Sequence, residues 1–196
     1  MASELRGLAN RLATDEADAG TWRKVADALD AAHAALPPQR PENSRFTRAH
    51  AGEGEWGDEG PSGSHPLATG TSGVFPPLDM KFEGRSLIAR VEFGHAWEGP
   101  PSLVHGGFLA AGFDIALSAM AHHVLGTSVT RSLALRYLKP TFLDQDLRFE
   151  VEAGEPDGRL LDLTGALYAD DRVTMRAKAQ FATLTQDRFA DRRSPE

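Results

Sequence analysis

The segment that most constrains the fold is residues 108–125, which would be apolar on almost every side of a helix. Asp114 is its one acidic or basic residue, and His122 and His123 lie close to its end. A helix of this kind is either buried in a packed domain or spans a membrane, and a carboxylate near its middle argues against the membrane. The sequence therefore predicts a central, buried helix over residues 105–125.

Five runs of residues with an apolar side chain at every second position accompany this helix, one before it and four after it. Such one-sided alternation is typical of an antiparallel sheet with one buried face. Turn-forming residues at 155–158 and 169–172 predict that the last three runs form a meander. The predicted inward-facing residues are Leu87, Ala89, Val91 and Phe93; Val129, Leu133, Leu135 and Tyr137; Leu147, Phe149 and Val151; Leu161, Leu163 and Leu167; and Val173, Met175, Ala177, Ala179 and Phe181.

One long helix and a set of antiparallel strands predict an α+β architecture in which the sheet wraps around the helix. A single sheet covers only part of a helix that is apolar all round, so a second subunit is expected to cover the rest. This domain is predicted to span residues 78–185 and to be followed by a polar tail at 186–196.

Two further segments precede this domain. Residues 1–36 have apolar side chains at helical spacing, which predicts an N-terminal extension of two short helices with Thr21 as the N-cap of the second. Residues 37–77 contain seven of the twelve prolines and seven of the nineteen glycines, which predicts a linker or a covering loop. Trp56 and Phe75 in that segment indicate contacts with apolar surface.

The composition narrows the possible partners. A net charge of −7 argues against nucleic acid, because basic side chains supply most of the affinity for phosphates. The chain has no cysteine, so it has neither disulfides nor thiolate metal ligands. Its N-terminus is polar from the first residues, which predicts a cytoplasmic protein without a membrane partner.

A motif marks the start of the central helix: His105, Gly106 and Gly107 are followed, after six more residues, by Asp114. The first amides of a helix have no acceptor within it, and two glycines leave them unobstructed. Directed at a carbonyl oxygen and aided by the positive end of the helix dipole, such amides form an oxyanion hole. The helix start is therefore a candidate site for stabilising negative charge on oxygen.

Asp114 calls for an explanation, because burying an unpaired carboxylate costs several kcal/mol. One interpretation is structural: neighbouring hydroxyls or amides satisfy it and so specify the packing. The other is functional, as a general base or a nucleophile whose surroundings tune its pKa. Residue types and spacing alone leave both interpretations open.

The distance along the helix adds a geometric constraint. Nine residues separate His105 from Asp114, which is about 13 Å at the helical rise. An oxyanion hole and its base must both lie within about 3 Å of one reacting group. If both ends of the motif are catalytic, the site is therefore shared between two subunits of a homodimer.

Other polar residues of the helix are less informative. Ser118 lies one turn beyond Asp114 on the same face, where it could hold a water molecule or simply permit a close helix contact. His122 and His123 are interpreted as helix-end residues that interact with the dipole, and no carboxylates complete a metal site around them. The sequence has no P-loop, dinucleotide fingerprint or nucleophile elbow, so neither a metal nor a cofactor is predicted.

Taken together, these motifs resemble those of the hot-dog thioesterase superfamily. The HGG-x6-D motif is followed by VTRSLALRYLKP at residues 129–140 and preceded by WEGPP at residues 97–101. The resemblance covers roughly residues 76–184 and is to the branch that contains phenylacetyl-CoA-type and hydroxybenzoyl-CoA-type thioesterases. It implies a hot-dog fold, assembly as a homodimer or homotetramer, and hydrolysis of acyl-CoA thioesters without a metal.

The resemblance also implies roles for individual residues. Asp114 would be the base or nucleophile, and the Gly106 amide of the other subunit, supported by His105, would be the oxyanion donor. Thr130 matches a position where relatives place a hydroxyl near the attacking water, and Ser118 matches a second such position in some relatives. Where relatives commonly carry an amide side chain this chain has Glu98, which could be catalytic, repel Asp114 or point away.

Candidates for substrate binding are more numerous. Trp97 and Phe108 could line an acyl pocket or belong to the core, and Gly107 lies beside the oxyanion terminus. The CoA phosphates need cationic partners, although each candidate could also be an ordinary charge on a strand. These candidates are Arg131, Arg136 and Lys139, with Arg172, Arg176 and Lys178 as further basic residues near the expected groove.

Two other functions remain open at this point. The chain could be a non-catalytic acyl-CoA-binding or regulatory module, with the N-terminal helices as its interaction part. It could also be a hydratase or dehydratase that acts on enoyl thioesters, although no pair of His and acid is arranged for that chemistry.

Overall fold

The computed structural model describes residues 2–36 and 72–183. In these ranges it contains three α-helices, six strands and a short 3-10 helix at His95–Trp97. The α-helices are α1 (Ala2–Thr14), α2 (Ala19–Ala34) and α3 (Gly106–Leu125). The strands are β1 (Asp79–Glu83), β2 (Ser86–Val91), β3 (Ser128–Tyr137), β4 (Leu147–Ala153), β5 (Leu160–Ala169) and β6 (Arg172–Thr183).

The six strands form one antiparallel sheet in the order β1-β2-β4-β5-β6-β3. The sheet and the central helix confirm the predicted α+β architecture, and β4, β5 and β6 form the predicted meander. Strand β1 was not predicted. It is an edge strand with four of its five residues exposed, so its sequence lacks the one-sided apolar alternation that a half-buried strand requires.

Helix α3 packs against strands β2 to β6, and its sheet-facing side forms the centre of the core. By length and composition α3 could also span a membrane, but half of that apolar window is buried within this fold. A stripe of partly exposed residues runs along the other side of the helix. One sheet therefore covers only part of α3, as predicted, and the second subunit expected to cover the rest stays a prediction. The stripe contains Gly107, Ala111, Asp114, Ser118 and His122.

Close packing between α3 and the sheet depends on glycine. The rings of Phe113 and Phe149 meet edge to face, with their centroids 4.9 Å apart. A Cβ atom added to Gly112 would lie 2.6 Å from Cζ of Phe149, far inside van der Waals contact. The absence of a side chain at Gly112 therefore lets the helix approach β4 closely.

We expect Gly112→Ala to destabilise the fold by about 1–3 kcal/mol, because the core must shift to admit the new methyl group. The measurement is the urea concentration at the unfolding midpoint. Gly7→Ala is the matched control, since a Cβ added there meets nothing within 4 Å. Where the added methyl group meets no neighbour, replacing a helical glycine with alanine should raise the free energy of unfolding by about 0.5–1 kcal/mol. Equal effects of the two substitutions on stability would therefore contradict the packing argument.

The predicted N-terminal helices are present as α1 and α2, and neither contains a fully buried residue. Thr21 as the N-cap of α2 is wrong. Asp18 caps the helix, since its Oδ1 accepts a hydrogen bond from the Thr21 backbone N–H at 2.9 Å. Asp is among the strongest N-cap residues, and it stands three positions before the Thr21 amide, where a cap acceptor belongs.

Phe75 contacts apolar surface as predicted: it is 2 % exposed and meets Phe93 edge to face at 5.5 Å. Most of the predicted linker, including Trp56, and the predicted C-terminal tail lie outside the described residues.

Candidate active site

The start of α3 is fixed by backbone hydrogen bonds to two other segments. The His105 N–H donates to the Trp97 carbonyl at 2.8 Å, and the Val104 N–H donates to the Thr141 carbonyl at 3.0 Å. Gly99 packs directly against this point, where an added Cβ would lie 2.8 Å from Cα of His105. The turn before the helix and the segment after β3 therefore hold the helix start in place together.

His105 is the N-cap of α3. Its Nδ1 accepts a hydrogen bond from the Gly107 N–H at 3.0 Å, so this nitrogen carries no proton in the capped state. The Gly106 N–H is the first of the helix and has no acceptor within it. It makes no hydrogen bond within residues 2–36 and 72–183. Of the two glycine amides, that of Gly106 is the one left to bind an oxygen atom of a ligand.

Tyr137 also fixes the helix start, and the sequence interpretation treated it only as a strand residue. Its hydroxyl donates to the Gly106 carbonyl at 2.8 Å. Its ring lies 3.2 Å from the position of a Cβ added to Gly106. The period-two pattern of β3 placed Tyr137 on the helix-facing side, but nothing in the sequence indicated that it reaches the first turn of α3.

Asp114 and Thr130 are in contact. The Thr130 hydroxyl donates to Oδ1 of Asp114 at 3.1 Å, while Oδ2 has no partner among the described residues. Asp114 is half-buried on the partly exposed stripe of α3. The structure thus places a hydroxyl and a carboxylate with one unpaired oxygen together at an accessible position in an otherwise apolar helix.

A β-bulge in β3 produces this contact. Thr130 pairs with Phe181 and Ser132 pairs with Gln180, which leaves Arg131 as an extra residue. Because Phe181 is buried, Thr130 also faces the helix. The interpretation of Val129 as an inward-facing residue is wrong, since the bulge reverses the alternation and Val129 is 42 % exposed.

Ser118 lies one turn after Asp114 on the same stripe and is half-buried. His122 follows on that stripe, whereas the ring of His123 stacks on Phe82 with centroids 4.9 Å apart. In the part of the chain that the structure describes, no group of three His, Asp or Glu side chains is placed to hold a metal ion.

Glu98 has its own hydrogen-bond partners. Its Oε1 accepts from the Ser102 N–H, and its Oε2 lies 3.2 Å from Nδ1 of His95. The Ser102 amide, followed by His95, holds the pKa of Glu98 below its usual value. These partners engage Glu98 in the turn that leads to His105, which of the three alternatives favours the one in which Glu98 points away.

We expect Glu98→Gln to leave kcat at pH 7 within about twofold, since a glutamine oxygen can still accept from the Ser102 amide. Because the pKa of Glu98 is lowered in the folded state, its ionised form stabilises the fold above pH of about 4.5 and loses this effect as the pH falls. The melting temperatures of wild type and variant should therefore differ at pH 7 and converge as the pH falls below the lowered pKa of Glu98. A loss of turnover at pH 7 as large as that of an Asp114 variant would assign Glu98 to catalysis instead.

The apolar substrate-binding candidates occupy different environments. Trp97 is 5 % exposed, donates its indole N–H to the Val74 carbonyl at 2.9 Å and packs against Phe93. Of the two interpretations of Trp97, acyl pocket or core, these contacts favour the core. Phe108 is half-buried, and its ring centroid lies 6.0 Å from that of His105. Gly107 is exposed. Phe108 and Gly107 therefore border the helix start, and Trp97 supports it from inside.

The cationic candidates lie on the outer face of the sheet or at its edge. Arg136 stands opposite Arg176, and Lys178 stands opposite Ala134 two pairs further along. These residues are exposed and alternate with the buried residues of β6, so they point away from α3. Arg131 donates to Oε1 of Gln180 at 3.0 Å, and Lys139 is exposed just beyond β3.

An antiparallel sheet wrapped around one long helix, with a polar site where the helix meets an edge strand, defines the hot-dog class of proteins. Residues 102–176 match the model of the thioesterase superfamily, a segment that includes both Asp114 and Thr130. The matching segment lies within the domain formed by α3 and the sheet, which bears out the resemblance seen in the sequence. No curated protein sequence matches the chain.

Several solved structures share this fold at low sequence identity. The thioesterase superfamily protein RHA08564 has a TM-score of 0.70 at 23% identity, over 92% of this chain and 91% of that one. The protein smu.793 from Streptococcus mutans UA159, bound to acetyl CoA, has a TM-score of 0.54 at 18% identity, over 57% and 91%. The PaaI protein from the phenylacetic acid degradation operon of E. coli has a TM-score of 0.53 at 11% identity, over 55% and 80%.

Proposed function

We propose that this protein is an acyl-CoA thioesterase, which hydrolyses a thioester to a free acid and CoA. The observation that carries the proposal is Asp114, a carboxylate in the middle of an apolar helix with one oxygen bound to Thr130 and the other unpaired among the described residues. The unpaired oxygen lies at an accessible position, where it can accept a proton from a water molecule. The match of residues 102–176 to the thioesterase superfamily supports the same reaction class.

The second half of the proposed site is the free Gly106 amide of a partner subunit. Helix α3 is continuous from Gly106 to Leu125, so Gly106 and Asp114 of one chain lie about 12 Å apart. They cannot both reach one thioester carbonyl group. The proposed site is therefore formed between two chains, with each chain contributing its Asp114 to one site and its Gly106 to the other.

Two features support an interface at this place. Strand β3 is an edge of the sheet, and an unpaired edge is available for a neighbouring strand. The partly exposed stripe of α3 adjoins this edge, because Asp114 on the stripe bonds Thr130 on β3. We propose that two copies meet along β3 and the stripe as a homodimer, which two such dimers could extend to a homotetramer.

In the proposed reaction, the thioester carbonyl oxygen accepts a hydrogen bond from the partner's Gly106 amide, which stabilises the negative charge that develops there. Asp114 takes a proton from a water molecule held near Thr130, and the water oxygen attacks the carbonyl carbon. The C–S bond then breaks, and CoA leaves as the thiol after protonation. Direct attack by Asp114 through an anhydride is the alternative route.

Substrate recognition follows from the positions of the remaining candidates. Phe108 and Gly107 border the helix start, where they would meet the acyl group. Arg131, Arg136 and Lys139 would meet the CoA phosphates at the outer edge of the sheet, away from the thioester. The similar fold of a protein bound to acetyl CoA supports acyl-CoA as the ligand class. A cytoplasmic location remains a prediction.

The test is release of free thiol from a panel of aliphatic and aromatic acyl-CoAs, followed with a thiol-reactive dye. Hydrolysis of at least one member is the expected result. Tight binding of acyl-CoA without thiol release would favour the non-catalytic binding module. A change in absorbance of an enoyl-CoA without thiol release would favour the hydratase.

A further inference from the structure

We propose that helix α1 positions the start of α3 and that Asn10 is the positioning residue. Helix α1 lies outside the segment that matches the thioesterase superfamily. It contributes no buried residue to the core, so core packing does not account for it. Its contacts are directed instead at the segment that leads to His105. The catalytic consequence of this contact rests on the proposed thioesterase function.

The first contact is a hydrogen bond from a distant side chain. Oδ1 of Asn10 accepts from the Ala96 N–H at 2.8 Å. Ala96 belongs to the 3-10 helix, whose first amides have no acceptor within it. The N-cap of that short helix is Gly94, which has no side chain to accept them. Asn10 therefore supplies the capping oxygen from another helix, 86 residues away in sequence.

The fit at this point is close. A Cβ added to Gly94 would lie 3.0 Å from both Oδ1 and Nδ2 of Asn10. The glycine thus admits the Asn10 side chain to the position that an N-cap side chain would otherwise occupy. This replacement of a local cap by a distant one ties α1 to the 3-10 helix.

A second contact connects α1 to the same segment through residues 72–75. The Arg6 guanidinium donates to the Ser72 carbonyl. The Ser72 hydroxyl accepts from the Phe75 N–H at 3.0 Å, and the Val74 carbonyl accepts from the Trp97 indole at 2.9 Å. Helix α1 is therefore connected to Trp97 through the Ser72 turn as well as through Ala96.

Both connections end at the oxyanion terminus. The Trp97 carbonyl accepts from the His105 N–H at 2.8 Å, and the next amide is that of Gly106. A displacement of about 1 Å in a catalytic group can cost about 100-fold in rate. A helix that restrains Ala96 and Trp97 thus restrains the amide on which the proposed reaction depends. The likeness to RHA08564 covers 92% of this chain, more than the hot-dog domain alone, so it extends into the N-terminal extension.

The first experiment compares three variants of the full-length chain in thiol release. Asn10→Leu removes the acceptor and should lower kcat about tenfold with KM within about twofold, as expected when positioning for the transition state is lost. Asn10→Asp keeps an acceptor oxygen and should retain kcat within about threefold. Arg11→Ala is the control on the same helix, since Arg11 is exposed and pairs with Asp15, one turn further along α1, and it should match wild type. An equal loss in Asn10→Leu and Asn10→Asp, or an equal loss in Arg11→Ala, would overturn the proposal.

The second experiment is hydrogen exchange, which needs no substrate. In Asn10→Leu the amides of Ala96 and His105 should exchange faster than in wild type, while those of β5 and β6 keep their protection. If the wild-type chain hydrolyses no thioester but this exchange pattern is found, the proposed function fails and the positioning role stands. If exchange at Ala96 and His105 is unchanged, the positioning role is refuted whatever the activity. Unfolding of the variant would appear as exchange throughout β5 and β6 and would equally contradict a local role.

Discussion

Replacing Asp114 with asparagine is expected to lower kcat for thioester hydrolysis by about 10³-fold, with little change in KM, because an amide neither accepts a proton from water nor attacks a carbonyl. An asparagine oxygen can still accept the hydrogen bond from Thr130, so the local geometry should survive. The measurement is thiol release at saturating substrate. Asp114→Ala should give a loss of similar size, since the chemistry depends on the carboxylate and not on the side-chain volume.

The fold of these variants must be shown separately. The melting temperature of Asp114→Asn should equal or exceed that of wild type, because a half-buried carboxylate loses hydration that a neutral amide does not need. Asp162→Asn is the matched control, since Asp162 is an exposed strand residue that accepts from Gln180 at 2.8 Å. Turnover by Asp114→Asn close to that of Asp162→Asn would refute the proposed role of Asp114.

Removing the Gly106 amide is expected to produce the second large effect. Proline has no N–H and favours the first position of a helix, and His105 has φ −61° and ψ 129°, a conformation that a residue before proline readily adopts. Gly106→Pro should therefore fold and lower kcat by about 10²–10³-fold through loss of the oxyanion donor. Gly106→Ala is the control, because it introduces the same Cβ contact with Tyr137 but keeps the amide.

Mixing these two kinds of variant tests whether the site is shared between chains. Asp114→Ala and Gly106→Pro, dissociated together and reassembled, should recover about a quarter of wild-type activity, since half of the dimers are mixed and each mixed dimer has one intact site of two. Each variant reassembled alone should stay inactive. Activity in the mixture that only averages the two separate variants would place both groups of each site in one chain.

The sequence allowed the prediction of those parts of the fold that depend on local periodicity. Helix α3 begins at Gly106 and ends at Leu125, within one residue of the predicted bounds, because its apolar residues and its two glycines mark its extent. Five of the six strands follow from alternation, whereas the exposed strand β1 has no buried face to impose a pattern. The cap of α2 was misplaced because Asp18 and Thr21 are both good capping residues and only the backbone geometry distinguishes them.

The contacts that assemble the candidate site were less accessible to sequence analysis. Tyr137 reaches Gly106 across 31 residues and Asn10 reaches Ala96 across 86, and no periodic pattern encodes such pairs. Asp114 stood out because a charge in an apolar helix is conspicuous at any position. The resemblance implied only that the Thr130 hydroxyl lies near the attacking water, and strict alternation would place Thr130 on the opposite face of β3, so its contact with Asp114 was not predicted.

The extra residue in β3 has a consequence for changes in chain length. Arg131 is unpaired between Thr130 and Ser132, whose partners Phe181 and Gln180 are adjacent in β6. Deletion of Arg131 would therefore leave a regular strand in which Thr130 still faces the helix beside Asp114. Deletion of one residue between Ser132 and Tyr137 would also leave seven residues opposite the seven from Phe181 to Met175, so Thr130 and Tyr137 would keep their face, but Ser132 would move to the helix-facing side opposite Ala179. The strand can therefore lose Arg131 without turning any other side chain to the opposite face.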